Sequence, residues 1–208
     1  MIIFSERSTK SIFETAKQNI LFTEFMTYNL LNKDVILAGG ALRHLFDEED
    51  VISDFDMFFT NKISALSTGI MLEALGYKVI YKCPKGFLTT YKKESTAPGT
   101  KDLNMKIQLI TERYYDSVQE LIDTFDITAC RFAYDGTNLA TYYSAIRDVK
   151  KRRVDLHKIS YPAATFRRMI KYHDKGYRMS NEGIQKYIDS CFEAGVDGRN
   201  VDYRFYID

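Results

Sequence analysis

The stretch VILAGGALRHLFDEEDVISDFDMFF, residues 35–59, is the part of the chain that decides the fold. It begins with an apolar run that predicts a strand, continues through a diglycine turn and an acidic loop, and ends in a second predicted strand at residues 52–59. On the second strand Asp54 and Asp56 alternate with apolar side chains. Because side chains repeat every two residues along a strand, we expect both carboxylates to project from the same face.

This arrangement suits a nucleoside triphosphate with its divalent cation. Carboxylate oxygens are the ligands that Mg²⁺ prefers, so Asp54 and Asp56 are candidate metal ligands. Gly39 and Gly40 have no Cβ and can offer backbone N–H groups to phosphate. A helix that begins after them would add its dipole, and Arg43 could reach a phosphate oxygen from its first turn. A diglycine alone usually marks a turn and a DxD alone a solvated strand end, but the combination predicts a phosphate site.

With these motifs in this order, the sequence resembles the polymerase-β-like nucleotidyltransferase superfamily, in particular the head domain of tRNA CCA-adding enzymes and bacterial poly(A) polymerases. The resemblance implies that Gly39, Gly40 and Arg43 form the glycine motif and that the two aspartates bind Mg²⁺ or Mn²⁺. It also implies transfer of a nucleoside monophosphate from an NTP to a hydroxyl, with an RNA 3′ end as the first-choice acceptor, by a two-metal mechanism. His44 departs from the family, which usually has an Asp after the Arg.

A third catalytic carboxylate is implied by the family on a strand beside the DxD strand. The matching position on the predicted strand 106–110 is Gln108, whose amide can ligate a cation weakly but cannot act as a base. Three interpretations stay open: reduced catalysis, an acid supplied by Glu112 or Asp126, or a site that binds nucleotide without turning it over.

The segment FDITACRFAYDG, residues 125–136, is similar to the family motif that follows the third acid. Asp126 and Thr128 match that motif and are candidate nucleotide-binding residues, whereas Phe125 replaces an Arg. The residue pattern alone, considered without the family resemblance, predicts a strand at residues 127–134 and a hairpin turn at the Asp-Gly that follows.

The segment from residue 142 to residue 177 follows the family order of a helix, a basic turn and a second helix that begins at Pro162. Arg167 and Arg168 on this second helix are candidates for base or phosphate contacts. Basic residues outnumber acids in this segment. A basic cluster is more often a solvated surface, but this one could bind triphosphate or an RNA backbone.

Composition sets limits on the function. The 208 residues are 45% hydrophobic and 27% charged with a net charge of +1, so the whole chain has no overall attraction to nucleic acid or membrane. Three distant cysteines indicate neither a disulfide framework nor a zinc site. Without an apolar run long enough for a signal peptide or a bilayer span, we expect a cytoplasmic protein with no membrane partner, in the host cytoplasm if the gene is viral. The resemblance to the nucleotidyltransferases implies a compact, stand-alone member of the kind found in phage and large-virus genomes.

We therefore predict an α/β (α+β) nucleotidyltransferase fold, with a small mixed, partly antiparallel sheet, helices mainly on one side and a helical C-terminal extension. Residues 1–140 would form the head-like domain, including one amphipathic helix over residues 8–31, and residues 141–208 the neck-like extension. A polar loop at 92–102 could fold over a substrate or could equally be a tolerated surface insertion. The competing hypothesis is a catalytically degenerate module that binds NTP, RNA or a protein as a regulator.

Overall fold

The structure is a computed structural model that describes residues 1–15, 19–47, 52–94 and 104–193. An eight-stranded sheet in the order β1-β8-β7-β2-β3-β6-β5-β4 organises these residues, and β9 and β10 form a separate two-stranded sheet. The strands are β1 Ile2–Phe4, β2 Val35–Ala38, β3 Phe55–Phe59, β4 Lys78–Lys82, β5 Leu88–Glu94, β6 Asn104–Ile110, β7 Phe132–Tyr134, β8 Leu139–Thr141, β9 Arg153–Val154 and β10 Arg178–Met179.

Helices connect and cover the strands. The described helices are α1 Glu6–Thr15, α2 Ile20–Thr27, α3 Gly40–Arg43, α4 Lys62–Ala74, α5 Val118–Ile122, α6 Tyr143–Lys150, α7 Pro162–Asp174 and α8 Asn181–Glu193, with a 3-10 helix at Thr128–Cys130. Among the described residues, no helix is both long enough and apolar enough to cross a bilayer.

The main sheet is mixed, as predicted. Strand β3 runs antiparallel to β2 and parallel to β6, and the other neighbours in the sheet are antiparallel. The parallel pairing matters for the site because it sets Asp56 opposite Gln108.

The two faces of the sheet have different coverings. Phe55, Met57 and Phe59 point into the larger core, which also contains buried side chains of α2 and α4. Asp56 and Phe58 alternate with them, and Phe58 belongs to a smaller cluster on the other face with side chains of α5. The helices therefore lie mainly on one face, which leaves room beside Asp56 on the other.

Two local predictions are wrong. Residues 8–31 do not form one helix, because Asn19 starts a new helix, its side chain accepting a hydrogen bond from the N–H of Phe22 at 3.0 Å. Residues 127–134 do not form one strand, because residues 128–130 turn as a 3-10 helix before β7.

The C-terminal helices pack onto the same core. Ala145 and Val149 of α6 and Met169 and Tyr172 of α7 are buried in the larger core cluster. The division at residue 140 stays a prediction. Residues 92–94 of the predicted polar loop form the end of β5, and residues 95–102 of that loop lie outside the described residues.

Candidate active site

A cavity of about 560 Å³ lies between the N-terminal end of β3, the diglycine turn and helix α7. Most of the predicted site residues line it together: Gly39, Gly40, Arg43, Asp54, Asp56, Asp126 and Arg168. The volume is in the range of pockets for small ligands and cofactors. The sequence motifs, which span more than a hundred residues, therefore converge on one cavity.

Gly39 brings the backbone close to the aspartates. Its φ of +82° and ψ of −140° are a conformation that side chains disfavour, and a Cβ there would lie 3.7 Å from Asp56 Oδ2. The N–H of Gly39 already donates to the carbonyl of Phe132 at 2.9 Å. Gly39 thus shapes the cavity rather than donating to a ligand. Gly40 starts α3, with no atom within 4 Å of a Cβ placed there.

Asp54 and Asp56 both face the cavity, Asp54 from the residue before β3 and Asp56 from within it. Ser53 Oγ donates to Asp54 Oδ1 at 3.0 Å. Asp56 Oδ1 is buried and has no hydrogen-bond partner among the described residues. Burial raises the pKa of Asp56 well above its ordinary value, and the charge of Asp54 raises it further, while Lys171 opposes the shift.

These features fit a divalent cation. A buried carboxylate oxygen without a donor, next to a second carboxylate, is costly unless a positive charge satisfies it. Asp54 and Asp56 are the residues that would hold the cation. Among the described residues no group of three His, Cys, Asp or Glu side chains could hold a metal, so the site would rest on this pair.

Gln108 occupies the predicted third-acid position. It is the cross-strand partner of Asp56, and its neighbours Ile107 and Leu109 are buried on the other face, as the sequence predicts. Its side chain is only 7% exposed, and Gln108 is not among the residues that line the cavity. Glu112 lines the cavity, but it lies two residues beyond the end of β6 and is not the cross-strand partner of Asp56.

Asp126 is held by helix α7 and does not replace the third acid. Its Oδ2 accepts hydrogen bonds from Thr165 Oγ1 at 2.6 Å and from Arg168 Nε and Nη2 at 3.0 and 2.6 Å. Its Oδ1 accepts from the N–H of Ile127 at 2.9 Å. The two predicted nucleotide-binding residues Asp126 and Arg168 are therefore an ion pair that fixes α7 against the wall of the cavity.

Arg43 makes a second connection to α7. It is 1% exposed, and its guanidinium lies 4.6 Å from the ring centroid of Tyr172 and 5.2 Å from that of Tyr177. Contacts of a guanidinium with aromatic rings stabilise its charge and hold the side chain in one position. Arg43 still lines the cavity, so it is a positive charge held in a fixed place beside the diglycine turn.

Two predicted site residues lie elsewhere. Thr128 Oγ1 lies 2.5 Å from Asp148 Oδ2, a contact within the buried connection between the 3-10 helix and α6. Arg167 is half-buried on α7 and does not line the cavity. Their assignment to nucleotide binding stays a prediction, without support from the position of either side chain.

The basic segment that was predicted to bind triphosphate contributes further residues to the cavity, although the individual lining positions were not singled out. Tyr161, Ala164, Lys171 and Lys175 line the cavity with Arg168, and Lys158 approaches from the preceding loop. The spacing of three, four and seven residues around Arg168 is the helical periodicity that could have found them. This surface places two lysines across the cavity from the DxD aspartates.

Comparison with solved structures identifies the class of the fold. The chain superposes on a CCA-adding enzyme in complex with CTP with a TM-score of 0.65 and 18% identity, covering 96% of this chain and 49% of that one. For the Thermotoga maritima CCA-adding enzyme complexed with tRNA, the TM-score is 0.60 at 19% identity, covering 94% and 47%. The protein therefore has the nucleotidyltransferase fold of the CCA-adding enzyme head, as predicted.

Comparison of sequences identifies the family. The model of the Gabija anti-defense 2 family matches residues 11–152, and the chain belongs to this family. A curated relative, "Gabija anti-defense 2" of Bacillus phage SPbetaL7, is 26% identical over 188 residues. The match covers 89% of this chain but 44% of the relative, so the chain spans less than half of that protein. The relative is a phage protein, which agrees with the predicted phage origin.

Proposed function

We propose that the protein transfers a nucleoside monophosphate from an NTP to a hydroxyl acceptor, with an RNA 3′ end as the first-choice acceptor, and acts in this way against a host defence. The observation that carries the proposal is the cavity in which Asp54, Asp56 and the diglycine turn meet. The match to the anti-defense family supports the biological setting.

The proposed reaction is a displacement at the α-phosphorus of the NTP. The acceptor oxygen forms a bond to the α-phosphorus, the bond from that phosphorus to the bridging oxygen breaks, and pyrophosphate leaves while the hydroxyl proton passes to solvent. A divalent cation bound by Asp54 and Asp56 would supply Lewis-acid stabilisation of the phosphate charge.

The protein's own residues position the nucleotide. Lys171 and Lys175 face the cavity and would neutralise phosphate oxygens, and Arg43 adds a fixed positive charge beside the turn. Gly39 lets the triphosphate approach, because any side chain there would take space next to Asp56. Orientation and electrostatics of this kind supply most of the catalysis in phosphoryl transfer.

A transfer assay tests the proposal. The full chain is incubated with each α-labelled NTP, Mg²⁺ or Mn²⁺ and either RNA or host protein. We expect label transfer that falls by about a hundredfold or more in Asp54→Ala and in Asp56→Ala. Asp174→Ala is a matched control, because Asp174 is an exposed carboxylate outside the cavity. Transfer that survives both Asp54→Ala and Asp56→Ala would exclude this mechanism. Label found on protein instead of RNA would show that the acceptor is a protein hydroxyl.

Gln108 favours a second candidate, a degenerate module that binds NTP without turnover. An amide at this position cannot remove the proton from an acceptor hydroxyl. Cation-dependent NTP binding without label transfer would support the module. Gln108→Glu separates the two candidates further, because a gain of transfer in this variant would show that the missing acid limits catalysis.

A further inference from the structure

Helix α4 has an apolar surface that faces solvent. Its sheet-facing side buries Ala65, Thr68, Gly69 and Leu72, and Gly69 allows close approach because a Cβ there would lie 2.9 Å from the hydroxyl of Tyr91. On the outer side, Ile63, Leu66 and Ile70 are 76%, 60% and 70% exposed. Single exposed apolar residues are ordinary, but these three follow the helical spacing of one continuous stripe.

The stripe continues onto the neighbouring edge of the sheet. Val79 of β4 is 45% exposed and pairs with Tyr91 of β5, so the two side chains share a face. Tyr91 contacts α4 at Gly69, which places Val79 on the α4 side. Met71 on α4 is also 45% exposed. We call Ile63, Leu66, Ile70, Met71 and Val79 the α4 surface.

We infer that the α4 surface binds a second copy of this chain, with the two α4 helices antiparallel across a twofold axis. With the twofold axis placed at position 68, Leu66 of one helix would lie against Ile70 of the other. The same register sets Ile63 against residue 73, which brings Lys62 alongside Glu73 of the opposite helix. Both charged side chains are exposed, and their signs are complementary.

This interface leaves the candidate active site open. Ala65 and Leu72 of α4 belong to the core cluster that contains Phe55 and Met57, on the face of β3 opposite Asp56. The two cavities of the dimer would therefore face away from the α4 pair. The inference is independent of the proposed function, and substitutions in the α4 surface should leave nucleotide binding unchanged.

Sedimentation equilibrium of the full chain over a range of concentrations tests the inference. We expect a reversible dimer, and Leu66→Glu and Ile70→Glu should each yield a monomer because burying a carboxylate in an apolar contact is costly. Ile3→Glu is the matched control: Ile3 is 57% exposed on β1, at the opposite edge of the sheet. This variant should remain a dimer. Circular dichroism checks that every variant is folded.

Charge reversal tests the antiparallel register. Lys62→Glu and Glu73→Lys should each weaken the dimer by about twofold to fivefold, as expected for an exposed ion pair. The double variant should recover the affinity of the original chain. A monomer at every concentration, including one that binds only a different protein, would overturn the inference. A dimer that persists in Leu66→Glu and Ile70→Glu would overturn it equally.

Discussion

The Asp126–Arg168 ion pair gives the most direct test of how helix α7 is held. Replacing Asp126 with Ala removes the acceptor of two Arg168 donors and of the Thr165 hydroxyl. Breaking a buried pair by removing one partner costs about 3–5 kcal/mol. The Arg168 side chain is 30% exposed, so solvent recovers part of this cost. The hydroxyl of Thr165 also stays buried without its acceptor, which adds to the cost. In total, we expect Asp126→Ala to lower the free energy of unfolding by about 3 kcal/mol.

Urea denaturation followed by circular dichroism measures this loss. Asp174→Ala should change the stability little, because its side chain is 72% exposed. In a double-mutant cycle, Asp126→Ala with Arg168→Ala should destabilise less than the two single losses added together, since neither charge is left unpaired. If Asp126→Ala lowers the free energy of unfolding by less than about 1 kcal/mol and abolishes NTP binding, Asp126 and Arg168 do not serve to hold α7. Nucleotide recognition would then be their function.

Three further predictions concern the cavity. Gly39→Ala should cost roughly 1–3 kcal/mol by chemical denaturation and lower NTP affinity, whereas Gly40→Ala, with no positive φ and open space, should be close to neutral. Asp56→Asn without metal should raise the free energy of unfolding at neutral pH. Because folding raises the pKa of Asp56, this gain should shrink as pH falls and vanish below the ordinary aspartyl pKa of about 3.9. Tyr172→Leu should destabilise by about 1 kcal/mol or more, since Arg43 loses its aromatic contact; an unchanged urea midpoint would contradict that contact.

Local sequence signals predict the elements that carry the DxD motif. An apolar run followed by two glycines predicts β2 and its turn, and alternation around Asp56 predicts β3. These signals succeed because each depends on a few neighbouring residues.

Long-range contacts explain what the sequence could not predict. Asp126 and Arg168 are 42 residues apart, so their pattern alone could not show that they bind each other rather than a nucleotide. Thr128 likewise contacts Asp148, twenty residues away, and turns into a 3-10 helix where β-propensity predicts a strand. In both cases tertiary contacts between polar groups override the local signal.

The pairing of Asp56 with Gln108 has a consequence for how the site is charged. A carboxylate at Gln108 would place a third negative charge beside Asp56, whose pKa burial and Asp54 already raise. The amide avoids that repulsion, so position 108 adds no further negative charge beside Asp54 and Asp56 when no cation is bound. The proton of the acceptor must then leave without a base at position 108. In the proposed transfer, we therefore expect binding of the cation and positioning by Lys171 and Arg43 to contribute more to catalysis than proton transfer to the protein does.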